Sequence, residues 1–143
     1  MRLWLLDTDH LSLIQREEPF VIEKLNRINP SEIAITVITV EEQMRGRLNG
    51  IRQASQSGKE EQIIFAYANL RKTVDFYREM NLLDFDRAAS TRYAELSRQK
   101  IRIGTKDLRI AAIALSVDGI LVTRNWRDFQ RVPGLILEDW TRQ

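Results

Sequence analysis

Asp7 ends the apolar run Leu3–Leu6, Asp9 follows two residues later, and next comes His10, the one histidine of the chain. Glu42 lies a short turn beyond a second apolar run, Ile33–Thr36. Asp107 stands in the first turn of a strongly apolar helical pattern, and Asn125 and Asp128 follow the run Ile120–Val122. Cysteine is absent, which excludes disulfides, thiol nucleophiles and thiolate zinc sites. A single histidine excludes two-histidine acid–base pairs and His-rich metal sites. Oxygen chemistry remains. Two carboxylates about 4 Å apart repel by on the order of 4 kcal/mol at an effective dielectric near 20, so a fold that gathers several needs a counter-charge. A hard divalent cation, Mg²⁺ or Mn²⁺, supplies it, can generate a nucleophile from bound water without histidine, and stabilises charge on a phosphodiester under in-line attack.

Such acids meet only if the elements between them bring them to one place. The pattern predicts strands at Leu3–Leu6, Ile33–Thr36, Leu82–Asp84, Ile120–Val122 and Leu135–Leu137. Helices fill the gaps: one opened by Pro19 and running to about Ile28, and one capped by Thr39 with Glu42 as capping-box partner, ending near Gly58. A long helix to about Met80 carries Ile63, Tyr67, Leu70, Val74 and Tyr77 on one face. Two more run from Asp86 to about Lys100 and from Thr105 to Val117. Strands alternating with helices imply parallel pairing through βαβ crossovers, and nearly unbroken apolar strands suit a sheet covered on both faces. The expected fold is α/β: a three-layer α/β/α sandwich with a short, mostly parallel sheet, in a single domain spanning 1–143. Ligands of such sheets bind outside the carboxyl ends of the strands, where Asp7, Glu42, Asp107, Asn125 and Asp128 would share one rim.

Each acid also has a local role open to it. Asp7 or Asp9 can cap a helix, Glu42 can close a capping box, Asp107 suits a helix macrodipole, and Asp128 can serve a turn. Their conjunction is what points to a metal site. With 43% hydrophobic and 29% charged residues, a soluble globular chain is expected. No apolar run approaches the roughly 20 residues that span a bilayer, and the first apolar run meets an acid too early for a signal-peptide core, so a cytoplasmic location is expected.

Four segments in order carry a family resemblance: "LLDTDHLS" at 5–12, "ITVITVEEQMRG" at 35–46, "IGTKDLRIAAIAL" at 103–115 and "LVTRNWRDFQRVPGLILEDW" at 121–140. Together they span nearly the whole chain, and it resembles PIN-domain ribonucleases, specifically VapC-type toxins of toxin–antitoxin pairs. The resemblance implies a compact α/β/α fold, a Mg²⁺- or Mn²⁺-dependent endoribonuclease acting on RNA, and a cognate antitoxin that blocks the active groove. It also implies a homodimer, which the apolar face of the long helix would serve. Carried over by position, Asp7, Glu42 and Asp107 would bind metal, with Glu42 rather than Glu41 because it stands four residues before Gly46. Asp128 would contribute charge, Asn125 an orienting contact, and Thr8 and Thr123 supporting hydroxyls. Asp9 is expected behind these acids or at the helix start. The sequence departs from the pattern at Gln43, where an apolar residue is usual, at bulky Trp126, and at His10, which is read first as a helix-start residue.

The net charge is +2, which permits a nucleic-acid partner without arguing for one. Lys100, Arg102, Lys106 and Arg109 flank Asp107, and Arg124 and Arg127 flank Asp128; these are the expected phosphate contacts. Trp126 could stack on an unpaired base, whereas Phe129 is expected in the core. Two rivals remain at this stage. "LLDTDH" also resembles the Asp-x-Asp opening of aspartate-nucleophile phosphatases, with Asp7 as nucleophile and Asp9 as acid–base. The chain could also be a non-catalytic RNA-binding module of the same fold.

Overall fold

The computed structural model describes residues 2–142. Five strands form one sheet in the order β3-β2-β1-β4-β5, where β1 is Trp4–Leu6, β2 Ile33–Thr36, β3 Asn81–Leu83, β4 Ile120–Val122 and β5 Ile136–Glu138. Every pairing is parallel. The strands fall within a residue of their predicted positions because each is a short apolar or β-branched run between polar segments. The three central strands are almost wholly buried, while the edge strands β3 and β5 are half open, as expected of a sheet whose middle is covered on both faces.

Successive residues of a strand point to opposite faces, and the core divides accordingly. Leu5 and Leu121 face one layer, built on α5 (Arg87–Arg98) and α6 (Thr105–Ser116). Leu6 and Val122 face the other, with α1 (Thr8–Gln15), α2 (Pro19–Asn26) and the fully buried Trp140. Between β2 and β3 the chain makes a long hairpin of α3 (Val37–Ser57) and α4 (Glu60–Tyr77), turned by Gly58 in the left-handed region at φ 68°. Asn125 opens the single-turn α7 (Trp126–Phe129).

Two local expectations are corrected. First, α3 is capped by Thr36, not Thr39: the Thr36 hydroxyl accepts the Thr39 amide at 3.1 Å. Two threonines three residues apart offer the same signal, and the one that directly ends β2 wins. Glu42 therefore lies in the second turn and has no capping duty. Second, α4 has only part of its predicted stripe covered: Ile63, Leu70 and Tyr77 are half-buried. Thr73 is its buried residue, with Phe76 and Tyr77 packed on the core, whereas Tyr67 and Val74 are exposed. Thr73 sits inward because its hydroxyl accepts Arg47 Nε from α3 at 2.8 Å.

Gly119 joins α6 to β4 with no room to spare. A Cβ there would lie 2.6 Å from Leu5 Cδ1 and 3.2 Å from the Leu3 carbonyl oxygen. Leu5 is wholly buried at the centre of the sheet and cannot step aside freely. Gly119→Ala is expected to destabilise the fold by about 1–3 kcal/mol, the usual range for overpacking, measured as a lower urea midpoint with an unchanged m-value.

Candidate active site

β1 leaves the sheet between β2 on one side and β4 on the other. The crossover from β1 runs to one neighbour, and the chain returns much later to the other. This is the topological switch point where α/β sheets open a crevice. Asp7 stands there, its amide still bonded to the Val122 carbonyl at 2.9 Å. It caps α1, with Oδ1 accepting the Thr8 amide at 2.9 Å. Its Oδ2 accepts the Thr123 hydroxyl, at the end of β4, at 2.7 Å. Capping and site membership are therefore the same placement.

The other acids arrive from different elements. Glu42 Oε1 accepts the Thr8 hydroxyl at 2.7 Å, tying α3 to the start of α1. Asp107 stands in the first turn of α6, whose N-cap Gly104 offers no side chain. Asp128 Oδ2 accepts Asn125 Nδ2 at 3.1 Å, while the Asn125 amide donates to the Thr123 hydroxyl at 3.0 Å. Thr123 thus links the Asp7 carboxylate to the Asn125–Asp128 turn. Asp9 Oδ1 meets His10 Nδ1 at 2.7 Å, and its Oδ2 accepts the Arg124 amide at 3.3 Å.

The electrostatics show that these groups feel one another. Asp7 is 7% exposed, and its carboxyl is pushed up to about 7, chiefly by burial; Asp9 and Asp107 push further up, against the bonds from Thr123 and Thr8. Asp107 is raised to about 6 by burial first, then by Glu42, Asp128 and Asp9. Among the described residues no Lys or Arg makes an ion pair with Asp7, Asp9, Glu42 or Asp107, and the Arg131–Asp128 approach is long, at 3.8 Å. Lys106, the nearest candidate in sequence, lies 3.2 Å from Glu41 instead, by proximity and not as an aligned hydrogen bond. Among the described residues no three acid or histidine groups close into a ready metal cage. The centre is an open acidic mouth. Its donors are all hard oxygens, Asp7, Glu42 and Asp107 have no Lys or Arg ion-pair partner among the described residues, and on both grounds it suits a divalent cation of the Mg²⁺ or Mn²⁺ type.

An open groove of about 980 Å³ begins at Glu42 and runs along α3 past Arg45 and Asn49 to Arg52, without reaching Asp7 or Asp107. Of the basic residues expected to meet phosphate, Lys100, Arg102, Arg124 and Arg127 are exposed. Lys106 is turned to Glu41, and Arg109 lies over the Tyr93 ring, 5.5 Å from its centroid. Trp126 is 42% exposed and Phe129 wholly buried. Gln43 fills its unusual position by bonding inward: its amide and that of Gln15 exchange bonds at 3.0 and 3.1 Å, and the Tyr77 hydroxyl donates to it at 2.8 Å. Burial pushes that phenol up to about 12, with Arg47 pulling it back. Sequence reasoning missed both this cluster and the role of Trp140, whose main chain meets His10. The polar Gln43 inside an apolar stripe was the only signal for the first.

The pattern of the PIN domain family matches residues 4–135: this chain belongs to the PIN domain family. Within it, the relatives that match over the full length are VapC ribonuclease toxins. The tRNA(fMet)-specific endonuclease VapC of Shigella flexneri is 32% identical over 145 residues, covering 99% of this chain and 100% of that protein. Ribonuclease VapC1 of Haemophilus influenzae (strain R2866) is 31% identical over 144 residues, covering 98% and 99%. The solved structure of DNA-bound VapBC from Salmonella typhimurium aligns with a TM-score of 0.71 at 30% identity, over 98% of this chain and 99% of that one. Membership in this family sets aside the aspartate-nucleophile phosphatase reading.

The raised Asp7 carboxyl has a consequence for stability. The unfolded chain gives up this proton near pH 3.8 and the metal-free native state near 7. Between these values the native state binds more protons, so this group's contribution to stability is full below about pH 4 and is lost as pH rises to 7. In EDTA, Asp7→Asn is expected to be more stable than the parent at pH 7.5 by on the order of 2–4 kcal/mol, with the gap closing towards pH 4. Urea titrations of both proteins across this range check it, and a gap that does not change with pH would contradict it.

Proposed function

We propose that this protein is a VapC-type, metal-dependent endoribonuclease. The observation that carries the reading is Asp7, buried at the switch point of the sheet and grouped with Glu42, Asp107 and Asp128, with the long Arg131–Asp128 approach as the basic contact among them. Asp7, Glu42, Asp107 and Asp128 would hold one or two Mg²⁺ or Mn²⁺ ions. Such an ion, when bound, lowers the pKa of a water and stabilises charge building on a phosphodiester. The chain's own part is to keep the oxygens aimed. Thr123 and Thr8 fix the two oxygens of Asp7, the Thr8 hydroxyl holds Glu42, and Asn125 holds Asp128. Asp107 stands in the first turn of α6, a helix start that attracts negative charge, while burial and the neighbouring acids raise its carboxyl.

RNA approaching an acidic mouth needs cations beside it. Arg124, Arg127, Lys100 and Arg102 are exposed and would supply them, and exposed Trp126 offers a face for an unpaired base. In this reading a cognate antitoxin covers the mouth, with a basic side chain satisfying the acids. A second copy covers the apolar surface left by Ile64, Phe65 and Tyr67 on α4. Light scattering at tens of micromolar tests that dimer. The expected location is the cytoplasm.

The decisive experiment incubates purified protein with structured RNA, tRNA first because a relative bears that name, in Mn²⁺, Mg²⁺ or EDTA. Cleavage should require the cation and fall by at least about 100-fold in Asp7→Asn and Asp107→Asn, as expected when several kcal/mol of transition-state stabilisation is lost. Cleavage that persists in EDTA and in Asp7→Asn refutes the mechanism, and metal-independent binding without scission would favour a non-catalytic module. Arg124→Ala with Arg127→Ala should weaken binding of all RNAs alike and flatten the log–log salt slope by about 0.7 per phosphate contact removed.

A further inference from the structure

His10 is wholly buried, and both of its ring nitrogens are engaged. The main-chain N–H of Trp140 donates to Nε2 at 3.0 Å. An amide N–H can only donate, so Nε2 carries no proton. Nδ1 lies 2.7 Å from Asp9 Oδ1. That carboxylate accepts, so the imidazole proton sits on Nδ1 and the ring is neutral. Asp139 Oδ1 also lies 3.6 Å from Nε2, but it accepts the Thr141 amide and hydroxyl and adds no donor. The Trp140 indole meets the imidazole edge-on, with centroids 6.3 Å apart and planes at 85°, and seals it from water.

This is more than a packed core histidine requires. An apolar ring would fill the space, and a helix-start carboxylate would be free to swing into solvent. Instead Asp9 has each oxygen tied by a different segment: one by His10, the other by the Arg124 amide in the loop that carries Asn125 and Asp128. The acid is braced against rotation on the side of the cluster where Asp7 and Asp107 feel its charge. Bracing like charges against one another serves no packing purpose, and it does serve a cation.

We propose that His10 is a positioning residue of the acidic centre: as the Nδ1–H imidazole, anchored on the main chain of Trp140, it holds the Asp9 carboxylate in the centre as a further oxygen donor for the divalent cation. The inference rests on the cation-binding reading above and extends it to two residues of this chain, Asp9 and His10. It also ties the C-terminal turn to the site: the bond from residue 140 to residue 10 spans nearly the whole sequence.

The test is Mn²⁺ binding by calorimetry on the full chain, with no RNA present, together with ¹⁵N NMR of the imidazole at neutral pH. The NMR should show a proton on Nδ1 and a bare Nε2. Asp9→Asn, which keeps the shape and removes the charge, should weaken Mn²⁺ binding about tenfold, the scale seen when groups that orient metal ligands are lost. His10→Phe, which keeps the buried ring and removes both nitrogens, should weaken it to a similar degree. His10→Asn, whose amide nitrogen overlays Nδ1, should restore most of the affinity. If Asp7→Asn abolishes Mn²⁺ binding while Asp9→Asn and His10→Phe bind as tightly as the parent, the inference falls and the centre stands. A proton found on Nε2 also overturns it. If the parent protein binds no Mn²⁺, the cation-binding reading itself fails and takes this inference with it. Should His10→Phe not fold, Asp9→Asn decides alone.

Discussion

The bond from the Thr123 hydroxyl to the Asp7 carboxylate joins the ends of two adjacent parallel strands at the one place where the sheet's connections diverge. Much of the site follows from it. It is the donor from beyond Asp7's own turn that meets a carboxylate otherwise withdrawn from water. It fixes which way that carboxylate faces, and through the Asn125 amide it sets the turn that presents Asp128. A buried ionised group needs partners, and here they are neutral: one hydroxyl and one amide. Neutral donors orient an acid without neutralising it, so the charge remains available to a cation from outside. An arginine in the same place would have stabilised the fold and closed the site.

The same economy of counter-charge explains where the basic residues went. Lys106 precedes Asp107 by one position yet turns to Glu41, and Arg109, two positions on, lies over Tyr93. On a helix, neighbours one or two apart do not face each other, so cations adjacent in sequence can flank an acid without pairing with it. Repulsion among the acids is then held in place by the rest of the fold: a fully covered central sheet, two apolar layers and tight strand packing at Gly119. The Asp7 and Asp107 carboxyls are raised first by burial and further by the neighbouring acids, and such perturbation concentrates where chemistry is done.

Much of this was legible in the sequence because strands and switch points follow local rules. Short apolar runs ending in Asp7 and Thr123 placed β1 and β4, and the rule that ligands sit beyond strand ends gathered the acids on one rim. Competing local signals were harder to read. Thr36 and Thr39 are equally good caps, and only the end of β2 selects between them; the choice matters, because it frees Glu42. The covered face of α4 was misread at Tyr67 and Val74, which hydrophobic spacing favours, while a part-buried Arg47–Thr73 hydrogen bond turns Thr73 inward. Pairings of remote residues were not legible at all. Thr8 with Glu42, and His10 with Trp140, are products of tertiary approach and leave no trace in spacing.

The polar residues that looked out of place turn out to share a position in the fold. Gln43 and His10 each directly follow an acid at a position where an apolar residue is usual, Gln43 after Glu42 and His10 after Asp9. Each is buried, and each has its polar atoms satisfied: Gln43 by Gln15 and Tyr77 from other helices, His10 by its helix neighbour Asp9 and by the main chain of Trp140. Apolar packing is non-directional and tolerates small rotations of a helix about its axis. A satisfied buried hydrogen-bond network does not, because any rotation leaves a donor or acceptor unpaired at a cost of about 1–3 kcal/mol. Placing such networks directly behind the acids gives α1 and α3 a defined angular setting, and with it a defined direction for Asp7, Asp9 and Glu42. Residues that depart from an apolar pattern next to a charged site can thus be the ones that aim it.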